Sequence, residues 1–295
     1  MDTETTPVLD LAAYLERIRY EGSLSPELAV LEALHEAHSS HIPFENLDVL
    51  LRRPIRLDLE GLQAKLVRGN RGGYCFEHNI LFAAVLEHLG FHVTRLAARV
   101  RYGVTRLLPR THMLLRVDIA GEPWLADAGF GGEGLLRPIP MALDEEVSRG
   151  DRRYRLVAEG DTWVLQSSKI DTWQDLYAFT QEPQHLVDYE VASYYVSTHP
   201  TSVFIRTLTA QRVTRDTRAV LRNQDLILES NRTEQHRTID DPDELLVVLA
   251  EIFGLSFPPG TRFSPEAGTH EAMSEKRHFL CGQVEIPTMY RDSTG

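Results

Sequence analysis

The hydrophobic pattern changes period near Phe91, from about 3.6 residues before it to 2 after it, and this restricts the fold more than any other feature of the chain. A helix buries side chains three and four apart, whereas a half-buried strand buries alternate ones, so the chain must join a helical unit to a sheet. Before the change, Asp10 is placed to cap a helix carrying Leu11, Tyr14, Leu15 and Ile18, with Gly22 as its stop. Ser25-Pro26-Glu27 predicts a second helix through Ala37, and Asp58 to Val67 a third that buries Leu59, Leu62 and Leu66. A fourth opens at Cys75, is apolar on most sides through Phe82, Val85, Leu86 and Leu89, and stops at Gly90.

After the change, Leu96, Ala98, Val100 and Tyr102 alternate with polar or small residues. Runs at 111–117, 124–126, 154–158, 162–166 and 173–179 predict short antiparallel strands that form a sheet or small barrel. A helical pattern through Val187, Val191, Tyr194 and Tyr195 leads to a linker at His199-Pro200-Thr201. Strands at 206–213 and 226–230 then precede a helix capped by Asp241 and closed by Gly254, with Leu245, Leu249 and Ile252 on its buried face. The expected class is α+β: a helical bundle over 1–90, an antiparallel β-barrel over 91–198, and a linker with a smaller unit over 199–295. A length of 295 residues accommodates three such units.

Charge narrows the choice of partners. With 31 basic and 43 acidic residues the net charge is -12, which repels a phosphate backbone, so no nucleic-acid partner is expected. The basic clusters Arg52-Arg53-Pro54-Ile55-Arg56 and Arg68-Gly69-Asn70-Arg71 lie in no broad basic surface interleaved with aromatics. The longest uninterrupted apolar stretch, Ile80 to Leu86, falls far short of the roughly 18 residues of a membrane helix, so no membrane partner is expected either. The first residues, Met1 to Pro7, show no basic-then-apolar leader, which predicts a cytoplasmic location. The two cysteines, Cys75 and Cys281, form no C-x-x-C pair, so neither a disulfide framework nor a cysteine-rich metal site is expected, and Cys281 reads as structural. His35, His38 and His41 are spaced three apart, but no clear cysteine or carboxylate ligand accompanies them, so no metal is expected there.

Cys75 follows the glycine-rich turn Arg71-Gly72-Gly73-Tyr74 and opens a helix, where unpaired N–H groups and the positive dipole end favour a thiolate. Position alone does not distinguish such a nucleophile from a buried, inert thiol. A hairpin adds the missing information. If Ala120-Gly121 is a two-residue turn, Ile119 pairs with Glu122, which puts His112 opposite Gly129 and Leu114 opposite Asp127. His112 and Asp127 then share a face as diagonal neighbours, roughly 7 to 8 Å apart at the backbone, which a hydrogen bond between the side chains can span. A three-residue turn would break this parity. His112 is thus the candidate base for Cys75, and Asp127 the carboxylate that orients it.

The segments His41-Ile42-Pro43-Phe44-Glu45-Asn46-Leu47, Arg71-Gly72-Gly73-Tyr74-Cys75-Phe76-Glu77, Thr111-His112-Met113 and Asp127-Ala128-Gly129-Phe130-Gly131 together resemble the arylamine N-acetyltransferases over most of the chain. The resemblance implies a cysteine-protease-like core with a C-terminal α/β lid, and Cys75, His112 and Asp127 as catalytic residues. It implies acetyl-CoA as co-substrate, no metal, and transfer through a cysteine thioester to arylamines, hydrazines or arylhydroxylamines by a ping-pong route. By the same resemblance Phe44, Tyr74, Val100, Phe130 and Phe204 border the acceptor; Gly129, Gly131 and Gly132, with Gly134, crowd the loop after Asp127, where backbone N–H groups are expected to approach the coenzyme phosphates. Arg71 and Glu45 are expected to pair, with Asn46 helping, to hold the nucleophile turn. His78 departs from the pattern, since many relatives carry glutamine, leucine or another residue there. The protein is expected to act as a monomer or homodimer. Two other enzymes share the triad: amide synthases that take an acyl group from a carrier, and cysteine hydrolases.

Overall fold

Asp10 starts α1 (Leu11–Arg17) by accepting the Ala13 N–H on its carboxylate at 3.0 Å, as its position before an apolar stripe predicts. The computed structural model describes residues 8–149, 152–168, 172–230 and 233–264, so Cys281 lies outside the described residues. Helix α1 ends sooner than Gly22 because the chain turns left-handed at Arg19, with φ 55°. Helix α2 (Leu28–His41) begins after Glu27, not at Pro26, and runs one turn past Ala37, facing Leu31, Leu34, His35 and His38 inward. Strand β1 (Phe44–Glu45) and helix α3 (Leu47–Leu50) follow; both are too short to show a period. The helix expected over 58–67 is α4 (Leu59–Leu62), capped by Asp58 and continued as a π-helical turn over Gln63–Arg68. Helix α5 (Cys75–His88) is apolar nearly all round because both the helices and the barrel pack on it.

The barrel comprises β2 (His92–Val100), β3 (His112–Ile119), β4 (Glu122–Ala126), β5 (Ile139–Pro140), β6 (Val147–Arg149), β7 (Arg152–Glu159), β8 (Thr162–Ser168) and β9 (Trp173–Phe179). They form one antiparallel sheet in the order β5-β4-β3-β2-β9-β8-β7-β6, curled into a nearly closed barrel. Its interior holds Leu96, Leu114, Leu156, Leu165 and Tyr177, while Ala97, Met113, Leu115 and Val117 face α5. Strand β3 is therefore buried on both faces, which masks the alternation expected of a surface strand. The β3–β4 turn has the two-residue form, with φ of 52° at Ala120 and 87° at Gly121, and Ile119 pairs with Glu122. Pairing continues to Leu115 opposite Ala126, so the parity inferred for His112 and Asp127 holds.

Beyond the barrel, α6 (Leu186–Thr198) occupies the expected helical segment, and α7 (Val203–Arg206) takes the start of the segment expected to be strand. Ser202 accounts for the difference: its side chain accepts the Phe204 N–H and starts a helical turn. A second antiparallel sheet follows, made of β10 (Thr209–Val213), β11 (Thr217–Arg222), β12 (Asp225–Ser230) and β13 (Thr233–Thr238). Its order is β1-β10-β11-β12-β13, so residues 44–45 of the N-terminal part belong to the C-terminal sheet. Leu47 and Leu50 share a core there with Leu208, Leu221, Leu226 and Phe253. Strand β13 has no apolar residue and is exposed throughout, so no hydrophobic signal marks it. Helix α8 (Pro242–Phe253) is capped by Asp241 and closed by Gly254 at φ 71°, as read, but its most buried side chains are Val248, Leu249 and Phe253. Leu245 and Ile252 lie at the flank of that face, partly buried. No helix of the described residues is long and apolar enough to cross a membrane.

Candidate active site

The first residue of α5 is Cys75, which places its side chain where the helix N–H groups have no intrahelical partners. Glu77 caps the preceding residue, accepting the Tyr74 N–H at 3.0 Å. The sulfur is almost fully buried and lies 3.5 Å from the Thr111 carbonyl oxygen, directly before β3. His112 opens that strand, and Cys75 lies alongside its imidazole, close enough to act on its charge. On its other side, His112 Nε2 is 2.7 Å from Asp127 Oδ2, which leaves Nδ1 for the thiol. The structure therefore unites the three residues expected to do the chemistry.

Electrostatics favour a charged imidazole. Burial opposes a positive charge on His112, but the Asp127 carboxylate and its hydrogen bond, with Cys75 alongside, hold its pKa up to about 10. Burial likewise opposes ionised Asp127, yet His112, Asn79 and the Gly129 N–H keep its carboxyl below the usual range. The raised His112 pKa stabilises the folded chain fully below the unfolded value near 6.5, and that contribution is lost as pH rises toward about 10. His112→Asn is therefore expected to lower the melting temperature most near about pH 6 and progressively less toward about pH 10. A melting series across that range checks it, and a penalty that grows with pH contradicts the assignment.

Two residues that sequence reasoning missed hold Asp127. Asn79 donates to Asp127 Oδ1 at 3.0 Å and to the Met113 carbonyl at 2.7 Å, while its own oxygen accepts the Ala128 N–H. His35 accepts the Asp127 N–H at 3.0 Å and faces the Leu136 carbonyl at 3.0 Å, so its proton sits on Nδ1. Asn79 follows Cys75 by one helical turn, and a buried amide on an otherwise apolar face was the signal that could have found it.

The five apolar candidates divide. Phe44, Tyr74 and Phe204 form one aromatic wall, with Phe204 5.3 Å from Tyr74 and 6.0 Å from Phe44 between ring centroids. Phe130 stands edge-on to His112 at 5.2 Å. Val100 pairs with Tyr177 at the end of β2 and lines a 440 Å³ cavity with Arg99, Leu108 and Phe179, whose walls include neither the triad nor the aromatic wall. The glycine loop packs closely in its own right. A Cβ at Gly129 would crowd the Cys75 backbone, and Gly131 has φ 89°. The N–H groups of Gly129 and Gly132 are engaged by Asp127 and Gln211, so they do not point to an outside phosphate.

Arg71 grips Glu45 Oε1 through Nε at 3.0 Å and a terminal nitrogen at 2.6 Å, and reaches Asp48 at 3.2 Å. Lys65, projected by the π-helical turn, joins Asp48 at 3.0 Å to Glu77 at 2.7 Å. A Cβ at Gly72 would collide with the Pro43 carbonyl, so only glycine fits beside this network. Asn46 acts elsewhere than expected: it donates to the Phe204 and Thr207 carbonyls and accepts the Thr209 N–H, tying the N-terminal part to α7 and β10.

A family model described as N-acetyltransferase matches residues 27–261. The arylamine N-acetyltransferase of Mycolicibacterium smegmatis is 42% identical over 253 residues, covering 84% of this chain and 92% of that protein. The Escherichia coli K12 arylamine N-acetyltransferase is 40% identical, covering 85% and 89%. The structure of Mycobacterium marinum arylamine N-acetyltransferase in complex with CoA superposes with a TM-score of 0.79 at 39% identity, covering 83% of this chain and 92% of that one. With the family model matching residues 27–261 and the Mycolicibacterium smegmatis enzyme 42% identical over 84% of this chain, the chain belongs to the arylamine N-acetyltransferase family.

Proposed function

We propose that the protein carries an acetyl group from acetyl-CoA to arylamines through a thioester on Cys75, by a ping-pong route. The observation that supports this reading most is His112 seated between Cys75 and Asp127, with 2.7 Å to the carboxylate. His112, whose pKa Asp127 holds up to about 10, is the base that takes the thiol proton as the Cys75 sulfur attacks. The Cys75 sulfur adds to the acetyl carbonyl, and unpaired N–H groups of the first turn of α5 face the oxygen that becomes negative. As the carbon–sulfur bond to the coenzyme breaks, His112 gives its proton to the departing thiolate. One thioester replaces another, so the acetyl group is not trapped.

In the second half the amine nitrogen adds to the acetyl carbon, His112 accepts the amine proton, and Cys75 leaves as thiolate. Asp127 keeps the imidazole in one orientation through both halves. The wall of Phe44, Tyr74 and Phe204, with Phe130 beside His112, suits a flat aromatic acceptor. Of the loop of Gly129, Gly131 and Gly132, Gly129 packs directly on the Cys75 backbone, so on this reading the loop supports the nucleophile and does not grip the coenzyme phosphates. On the same reading residues 1–90 supply the nucleophile, 91–198 the base and its carboxylate, and the C-terminal unit, through Phe204, part of the acceptor side.

Incubation with acetyl-CoA and no acceptor is expected to add one acetyl group to Cys75 by intact mass, and an arylamine or hydrazine is expected to remove it as the amide. Loading from a carrier thioester but not from acetyl-CoA would overturn the reading in favour of an amide synthase. Discharge to water alone would overturn it in favour of a hydrolase.

A further inference from the structure

Three buried side chains outside the triad form a line that ends on the nucleophile turn. Tyr14 Oη of α1 lies 2.8 Å from His38 Nδ1 of α2, His38 Nε2 lies 2.9 Å from His78 Nδ1 of α5, and His78 Nε2 faces the Gly73 and Pro43 carbonyls at 3.1 and 3.2 Å. We propose that this line is a one-way hydrogen-bond chain in which His78 is a positioning residue for acetyl transfer to Cys75, an inference that rests on Cys75 being the acyl acceptor.

The direction of every hydrogen follows from the last link. Carbonyl oxygens only accept, so His78 Nε2 carries a hydrogen and Nδ1 offers a lone pair. His38 must then donate from Nε2, which leaves its Nδ1 to accept the Tyr14 hydroxyl. The other tautomer of His78 would aim a lone pair at two carbonyl oxygens while its Nδ1–H met the Nε2–H of His38. Each ring, when neutral, is thus held in one tautomer. Burial disfavours the charged form, pushing His78 down to about 4 and His38 well below its ordinary value. The chain cannot relay a proton, since the carbonyls at its end do not hold one, so its work is positional.

Its target is the glycine pair that leads into Cys75. Gly72 and Gly73 sit directly before Tyr74 and Cys75, and glycines lose more freedom on ordering than other residues. The Gly73 N–H reaches the Pro43 carbonyl at 3.3 Å, and the Gly73 carbonyl accepts the Glu45 N–H at 2.7 Å. His78 adds a side-chain rung across this short parallel bridge, one helical turn after Cys75. Its ring also lies nearly parallel to Phe44, at 13° and 6.5 Å, so the same residue backs the aromatic wall. One imidazole therefore fixes the nucleophile turn relative to that wall.

The test compares the full-length parent with His78→Gln, His78→Leu and Tyr14→Phe. Single-turnover loading of Cys75 at saturating acetyl-CoA is expected to slow about ten- to hundredfold in His78→Leu, with the KM for acetyl-CoA within about twofold of the parent. Glutamine can donate to the same carbonyls and accept from His38, so His78→Gln should load within about threefold of the parent. Nitrogen-15 spectra of the parent should show both rings as neutral Nε2–H tautomers with a coupling across the His38–His78 bond. Tyr14→Phe should leave the His78 signals in place and shift those of His38 Nδ1. A folded His78→Leu that loads like the parent, or a glutamine variant as slow as leucine, overturns the proposal. If His78→Leu does not fold, the spectra and the glutamine variant decide, and a charged or Nδ1–H form of His78 at neutral pH overturns it. A parent that never loads sinks the acyl-acceptor reading itself, whereas a loading parent with an insensitive position 78 sinks only this one.

Discussion

Cys75→Ala is expected to take up no acetyl group from acetyl-CoA and to lose steady-state acetylation of an arylamine by roughly 10⁴-fold or more, the scale seen when a covalent nucleophile is removed. The substitution deletes one sulfur atom, whose hydrogen-bond partner is the Thr111 carbonyl at 3.5 Å. The fold around it is built from other residues: Glu77 caps the helix, and Asn79, His35 and Gly129 hold Asp127. The melting temperature should therefore stay near that of the parent while activity vanishes. Cys75→Ser supplies a sharper version, since it keeps a hydrogen-bonding group of similar shape but replaces the thiol with a hydroxyl that is far harder to ionise. It should be nearly as inactive as alanine. Intact mass after exposure to acetyl-CoA is the direct measurement, and an acetyl adduct of unchanged yield on the alanine variant would refute the assignment.

The second large effect is on stability. Arg71→Ala leaves the Glu45 carboxylate, which is fully buried, without its guanidinium, and breaking a buried pair from one side costs about 3–5 kcal/mol. For a chain of this size that corresponds to a fall in melting temperature on the order of 10 °C. The loss should exceed that of a surface pair such as Arg56–Asp58, whose exposed partners are well solvated. Arg71→Lys should recover only part of it. A lysine offers one point charge, whereas the arginine places two nitrogens on Glu45, a third on Asp48, and its planar group 4.5 Å over the Phe257 ring. Soluble yield should fall before any catalytic defect is measurable. A variant that melts with the parent would show that the network contributes no net stability.

Legibility followed the range of the interaction. The face shared by His112 and Asp127 could be read because a two-residue turn at Ala120-Gly121 sets the register of a hairpin, and register sets which side each residue faces. The capped starts of α1 and α8 were equally local, each resting on an aspartate that accepts an N–H two or three residues on. The pairing of Arg71 with Glu45 was anticipated from the family resemblance, not from spacing. Strand β13 and the short helices α3 and α7 escaped because four to six residues, or an all-polar strand, carry no period. Asn46 was placed in the wrong company for a related reason: its partners lie at 204–209, across the whole barrel in sequence.

The chain alone therefore determined the succession of a helical unit and an antiparallel barrel, the position of Cys75 at the start of a helix, and the parity that puts a histidine and an aspartate on one face. Each depends on spacing, capping or turn chemistry within a few residues. Tertiary structure decided which buried polar groups serve that site: Asn79 and His35 on Asp127, Lys65 between Asp48 and Glu77, and the line from Tyr14 to His78. A polar group removed from water must find a partner, but its identity depends on which distant segments packing brings within about 3 Å, and spacing along the chain does not encode that.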